Sequence, residues 1–126
     1  YEFRIHYFPV LANVKDGGEE FLCWQLVDLQ PKVRHWVRNL ASAPAGFALP
    51  TSRGWFYADF VAELTDDRVA LLEYKGAHLA NDPGEIEKRQ IGELWARQSD
   101  GKALFGWLML TQGGKSLAQQ LDEVLV

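Results

Sequence analysis

The chain has 126 residues, 48% of them apolar and 24% charged, with a formal net charge of −4 and a pI near 5.3. That length suits one domain with one core, and the composition excludes a disordered chain. The acidic balance argues against a strong free-standing nucleic-acid binder, and a single cysteine, Cys23, excludes an internal disulfide framework and a CxxC zinc site.

YEFRIHYFPVLANV at the start is rich in aromatic and β-branched residues and reads as one or two strands, with Pro9 at a sheet edge or strand end. A strand-like start is not a signal peptide, and no apolar run is long enough to span a bilayer. A reducing cytosolic compartment is the expectation. Starting on Tyr rather than Met, the chain reads as a domain excised from a longer protein. KDGG is a turn. GEEFLCWQLVDLQP reads as a helix: acids open it, Leu22, Leu26 and Leu29 recur at i, i+4 and i+7, and Pro31 closes it. Cys23 falls inside it as a small core residue. VRHWVRNL reads as a short strand alternating Val33, His35 and Val37 against Arg34, Trp36 and Arg38, and ASAPAG as a loop.

FALPTSRGWFYADFVAEL continues extended, broken at Pro50 and Gly54. RVALLEYKG is apolar on both faces, as a central strand of a covered sheet is. AHLANDPG is a loop. Residues 85–98 read as a helix with Ile86, Ile91, Leu94 and Trp95 as a core stripe. SDGK is a turn and KALFGWLMLT another buried strand. GGKSLAQQLDEVLV closes the chain as a helix with Leu117, Leu121, Val124 and Leu125 on one face. This order predicts an α/β domain: a mixed sheet with helices on both faces.

Charges interrupt the two greasy strands. Asp59 lies within the first, and Glu73 and Lys75 flank Tyr74 at the end of the second. Burying such groups is costly unless something pairs with them. Residues two apart in a strand point the same way, so Glu73 and Lys75 share a face roughly 6–7 Å apart, and Tyr74 points to the other side. If the strands form a hairpin, Asp59 can lie opposite Glu73 with Cβ atoms about 5 Å apart. Register decides this. A two-residue loop at Asp66-Asp67 pairs Thr65 with Arg68 and puts Asp59 opposite Tyr74, on the wrong face. A three-residue loop or a bulge puts it opposite Glu73. The functional reading therefore requires that one-residue offset.

Two carboxylates with the Tyr74 carbonyl are the hard oxygen donors that Mg²⁺ prefers. A neighbouring lysine can orient a water and stabilise charge growing on a phosphate. The blander reading of a lone ExK is a solvated strand edge with a weak ion pair.

Asp59 in YADF, followed by EYK after a short hairpin, resembles the PD-(D/E)XK motif of restriction-endonuclease-like nucleases, with Ala58 where proline is usual. HYFPV, GEEF, WVRNL, LPTS, GWFYADFVAEL, EYKGAHL and EKRQIGELW, in that order over most of residues 1–110, resemble the C-terminal nuclease domain of type III restriction enzyme Res subunits and related DEAD/DEAH helicase–nucleases. The resemblance implies a restriction-endonuclease-like α/β/α sandwich with an αβββαβ core, central mixed sheet and C-terminal helix. It implies Mg²⁺-dependent DNA cleavage, with Mn²⁺ as a substitute, in a bacterial or archaeal cytoplasm. The implied partners are DNA, an upstream helicase motor that would use ATP, and a DNA methyltransferase subunit; no membrane is implied.

The same resemblance implies Asp59, Glu73 and Lys75 as catalytic residues, with Asp59, Glu73 and the Tyr74 carbonyl on the metal. A helix acid often joins such sites; Glu19 and Glu20 are the candidates. Related nucleases place it about three turns before an XPXV corner, here Gln30-Pro31-Lys32-Val33, which favours Glu20. Both acids could equally just favour a helix N-terminus. The helix after the motif offers Lys88, Arg89 and Gln90. Lys88 and Gln90 lie about 200° apart on a helix, so Gln90 is preferred for the active site and Lys88 or Arg89 for the nucleic-acid backbone. His35 and His78 receive no role.

The acidic pI opposes tight DNA binding, although basic residues recur at Lys32, Arg34, His35 and Arg38 and at Lys88, Arg89 and Arg97. A tethered motor could deliver DNA at high local concentration. Two other readings remain open: a non-catalytic DNA-clamping or interaction module, and a nuclease acting on RNA or on branched or single-stranded DNA.

Overall fold

A computed structural model describes residues 19–39, 47–76 and 82–126. The strands read in residues 1–14, the KDGG turn, the ASAPAG loop and His78 lie outside the described residues. The elements are α1 (Glu19–Leu29), β1 (Val33–Arg38), β2 (Leu49–Thr51), β3 (Gly54–Phe56), β4 (Phe60–Leu64), β5 (Val69–Tyr74), α2 (Pro83–Arg97), β6 (Ala103–Leu108), β7 (Thr111–Gln112), β8 (Lys115–Ser116) and α3 (Leu117–Val124). A mixed four-stranded sheet runs β1-β4-β5-β6. Its first two pairings are antiparallel and β5–β6 is parallel, with α2 as the crossover. The mixed α/β sheet expected from the element order is present. No helix among the described residues is long and apolar enough to cross a membrane.

Side chains leave the sheet in alternation and build two cores. On one face Phe60, Ala62, Ala70, Leu72 and Leu108 pack with Phe21, Trp24 and Val27 of α1 and Leu117 and Leu121 of α3. Trp24, Trp36 and Phe60 are at its centre, with ring centroids 5.8–6.2 Å apart. Such tilted and edge-on rings add to plain area burial. The Trp36 indole donates to the buried Asp28 carboxylate at 3.0 Å. On the other face Leu71 and Trp107 pack with Leu49, Phe56 and Ala58, and with Ile91 and Trp95 of α2.

Several expectations need correction. In α1 the helical spacing of the leucines does not mark the buried face: Leu22 and Leu29 are exposed, Leu26 is partly buried against the core, and the buried face carries Phe21, Trp24, Val27 and Asp28. The larger aromatics bury more area and win the inner face. Cys23 is buried as a small core residue. In β1 a register shift between Val33 and His35 breaks strict alternation, so that Val33 and Trp36 both face the core. Pro50 does not break the chain; it pairs with Trp55 in the short β2–β3 hairpin. The second helix starts earlier than residue 85. Asp82 caps it by accepting from Gly84 N and Glu85 N, and Pro83 opens it, where its missing N–H does no harm. Ile86 and Leu94 of that helix are exposed. Gly92 packs tightly on the sheet: a Cβ there would run into the Phe105 ring. In the last segment a small β7–β8 hairpin precedes α3, and Ser116 and Gln119 close a capping box on the helix. Leu117, Leu121 and Leu125 are buried, with Val124 packed beside them, as expected.

Candidate active site

The hairpin between β4 and β5 has the required offset. Phe60 pairs with Leu72 and Ala62 with Ala70. Leu64 N donates to Arg68 O at 2.8 Å, and Asp67 N to Leu64 O at 3.0 Å. The loop is therefore Thr65-Asp66-Asp67, and Asp67 takes the left-handed conformation, φ 71°, that a three-residue hairpin loop needs at its last position. Aspartate tolerates that conformation better than most non-glycine residues. Continued by one residue, this register sets Asp59 beside Glu73.

The two acids are joined through the backbone. Asp59 N–H donates to Glu73 Oε1 at 3.1 Å, and Tyr74 N–H donates to Asp59 Oδ2 at 2.8 Å. Tyr74 itself packs against the α1/α3 core, as the alternation predicts. Asn39, just past β1, holds the segment before β4. Its N–H donates to Asp59 O at 2.8 Å, and its side chain donates to Ala58 O at 2.9 Å and to Phe47 O at 2.7 Å. Ala58, the residue standing where proline is usual in the resemblance, is 2% exposed and fills the second core.

Lys75 lies over Glu73. Its Nζ is 3.4 Å from Glu73 Oε2 and 3.2 Å from Glu85 Oε2 of α2. The second contact is an ion pair that misses hydrogen-bonding angles. Glu85 Oε1 in turn meets Lys88 Nζ at 3.2 Å, and Lys88 also lies 5.8 Å from the centre of the Phe56 ring. The result is a row of alternating acidic and basic side chains, Glu73, Lys75, Glu85 and Lys88, across one mouth of the sheet.

Electrostatically the row is loaded. Glu73 is 3% exposed. Burial, then the Asp59 charge, pushes its carboxyl up to about 9, although Lys75 works the other way. Burial opposes the Lys75 ammonium, but Glu73, Glu85 and Asp59 outweigh it and raise its pKa. Glu20 is exposed as a residue, yet enough protein surrounds its carboxyl that burial leads, with Asp59, in raising its pKa. Arg38 and Lys75 pull against that rise. Glu20 is thus within electrostatic reach of Asp59 and Lys75. The Glu19 side chain lies outside the described residues.

Of the residues singled out from sequence, Asp59, Glu73 and Lys75 come together, the Tyr74 N–H rather than its carbonyl reaches Asp59, Glu20 is nearby, and Lys88 stands at the edge through Glu85. Gln90 is exposed and makes no contact with the acids; it lines, with Glu85, Trp107 and Gln112, a cavity that adjoins the row through Glu85. Arg89, in the same lining, pairs with Glu93 at 3.1 Å. His35 is exposed. Asn39 and Glu85 were not legible as site residues. Glu85 looked like an ordinary first-turn acid, and Asn39 had only its place after a strand.

The donors suit a hard cation. They are all oxygens, and carboxylates that each accept one N–H bond retain lone pairs. Burial is the larger cause of the raised Glu73, and the part that comes from Asp59 is what a divalent ion beside the two acids would relieve. Among the described residues no group of three or more His, Cys, Asp or Glu side chains converges closely enough to cage an ion alone. Mg²⁺ suits such a sparse set, because it keeps several waters and takes phosphate oxygens. Compared with known proteins, the chain matches no family model, no curated protein and no solved structure.

Proposed function

We propose that the chain is a restriction-endonuclease-like nuclease domain that hydrolyses phosphodiester bonds in DNA with Mg²⁺, as the cleavage module of a type III restriction-like helicase–nuclease. The observation that carries this reading is the hairpin offset. It brings Asp59 and Glu73 into mutual contact, with the Lys75 ammonium over them, where the other register would have split them between faces. The element order, with one helix before the sheet and a crossover helix before a parallel strand, also supports it.

Asp59, Glu73, the Tyr74 carbonyl and Glu20 would hold the ion. Its chemistry there is polarisation of the scissile phosphate and acidification of water. The protein's own groups do the rest. Lys75 is kept protonated by the flanking Glu73 and Glu85, so it can stabilise the negative charge that grows on the pentacovalent phosphate and orient the attacking water. Glu85 fixes where that ammonium sits, and Asn39 fixes the backbone under Asp59. Lys88, at the edge of the row, would meet a neighbouring phosphate of the strand. With a net charge of −4, the domain alone binds DNA weakly, and a tethered motor would raise the local DNA concentration.

The test is nicking of supercoiled plasmid in Mg²⁺. Wild type cuts, while Asp59→Ala and Lys75→Ala remain folded by circular dichroism and do not. Undiminished cutting in either variant removes the assignment.

A further inference from the structure

Beside the charged row lies a second feature with no part in the chemistry above. The β2–β3 hairpin stands against the start of α2, tied by Ser52, whose backbone N–H and hydroxyl donate to Glu87 at 3.4 and 3.0 Å. Between hairpin and helix is a cavity of about 320 Å³, lined by Arg53, Trp55, Asp82, Glu85, Glu87 and Lys88 among others. Glu85 and Lys88 belong to both the cavity and the charged row, so the two adjoin.

Trp55 is 66% exposed. A tryptophan is among the most buried residue types on average, and this one contributes to neither core. Its cross-strand partner is the exposed Pro50, so the ring lies on the face of the short hairpin opposite Leu49 and Phe56, which enter the second core. The carboxylates around it have partners of their own, though of them only Glu85 meets cations among the described residues. Asp82 caps α2, Glu85 lies between Lys75 and Lys88, and Glu87 accepts from Ser52. Arg53 differs: among the described residues its guanidinium makes no ion pair, and it lies over Gly84 at the helix start. An open aromatic face beside a guanidinium with no ion pair matches an unpaired nucleotide, base on the ring and phosphate on Arg53; Lys88, already paired with Glu85, adds no free charge.

We infer that the β2–β3 hairpin binds an unpaired nucleotide next to the scissile phosphate, with its base stacked on Trp55 and its phosphate on Arg53. The inference rests on the nuclease reading only for which phosphate is scissile. A base within a duplex has no free face to offer, so the site selects strands that are single, frayed or splayed open.

The test is fluorescence anisotropy with the full chain, in EDTA, using labelled oligodeoxythymidine of about ten nucleotides, oligouridine of the same length, and a blunt duplex. Trp55→Ala should weaken oligodeoxythymidine binding about tenfold, Trp55→Phe should restore most of it, and duplex binding should move by less than about twofold. Arg53→Ala should lower the slope of log affinity against log salt by about 0.7. An unchanged affinity for oligodeoxythymidine in Trp55→Ala, or an equal loss on duplex, overturns the inference. A Trp55 effect on oligouridine alone overturns its DNA form. Asp59→Asn separates the two readings. A Trp55-dependent affinity without any Asp59-dependent cutting leaves the stacking site and removes the nuclease; Asp59-dependent cutting with no Trp55 effect does the reverse.

Discussion

Replacing Glu73 by Gln should make the metal-free protein more stable at neutral pH. In the folded chain burial and Asp59 raise this carboxyl from its ordinary value near 4.5 to about 9. Between those two values the folded state holds a proton that the unfolded state has released, so stability falls as pH rises across that window. Each pH unit is worth about 1.4 kcal/mol, so by pH 7 the loss relative to strongly acidic solution is about 3 kcal/mol. Glutamine keeps the shape of the protonated acid and does not titrate. The variant should therefore match wild type near pH 4 and exceed it by about 3 kcal/mol at pH 7, or about 10 °C in melting temperature for a chain of this size. Glu20 is raised by the same causes and leaves a residual slope in the variant. Urea melts of both proteins from pH 4 to pH 9 in EDTA give the answer. A gap that does not widen with pH, or a variant less stable than wild type at pH 7, refutes the picture of a buried, repelled carboxylate.

Other outcomes follow from the same geometry. Mg²⁺ at about tenfold its dissociation constant should stabilise wild type by about 1.4 kcal/mol in thermal melts, and Asp59→Asn should lose that response. Glu85→Gln removes one of the two acids on Lys75 and should slow plasmid cutting about tenfold or more, a loss in kcat rather than KM, with little change in melting temperature. Gly92→Ala should destabilise by about 1–3 kcal/mol despite the better helix propensity of alanine, because the new methyl meets the Phe105 ring; a stabilised variant in urea melts contradicts the close approach. Duplex DNA binding by this acidic chain alone should be weak and strongly salt-dependent, and nanomolar affinity in a gel shift at moderate salt would contradict that.

Much of the architecture was legible where pattern and chemistry agree. The β5 run is apolar on both faces because it is central, and the α3 leucines repeat at helical spacing because one face is covered. Legibility failed where competition between side chains decides. Leu22, Leu26 and Leu29 have helical spacing in α1, but Phe21 and Trp24 bury more area and take the inner face, leaving Leu22 and Leu29 exposed and Leu26 partly buried. Pro83 and Gly84 looked like loop residues because the capping role of Asp82 sets their meaning, and a cap is visible only once the helix start is known. The site divides in the same way. Asp59, Glu73 and Lys75 stood out as charges in greasy strands, yet their meeting depended on whether the Thr65-Asp66-Asp67 turn held two residues or three. The sequence permits both, and the left-handed Asp67 selects the longer loop. Glu85 comes from a different element, and only the packing of α2 on the sheet brings it to Lys75.

The most direct test of the site is the rate of strand scission measured against Mg²⁺ concentration for wild type and Asp59→Asn. Wild type should show no cutting in EDTA and a rate that climbs and saturates with the ion, while the variant stays at background throughout. A wild-type rate indifferent to divalent ions, or a variant that traces the wild-type curve, would contradict the assignment of Asp59 and Glu73 as the acids that hold the ion.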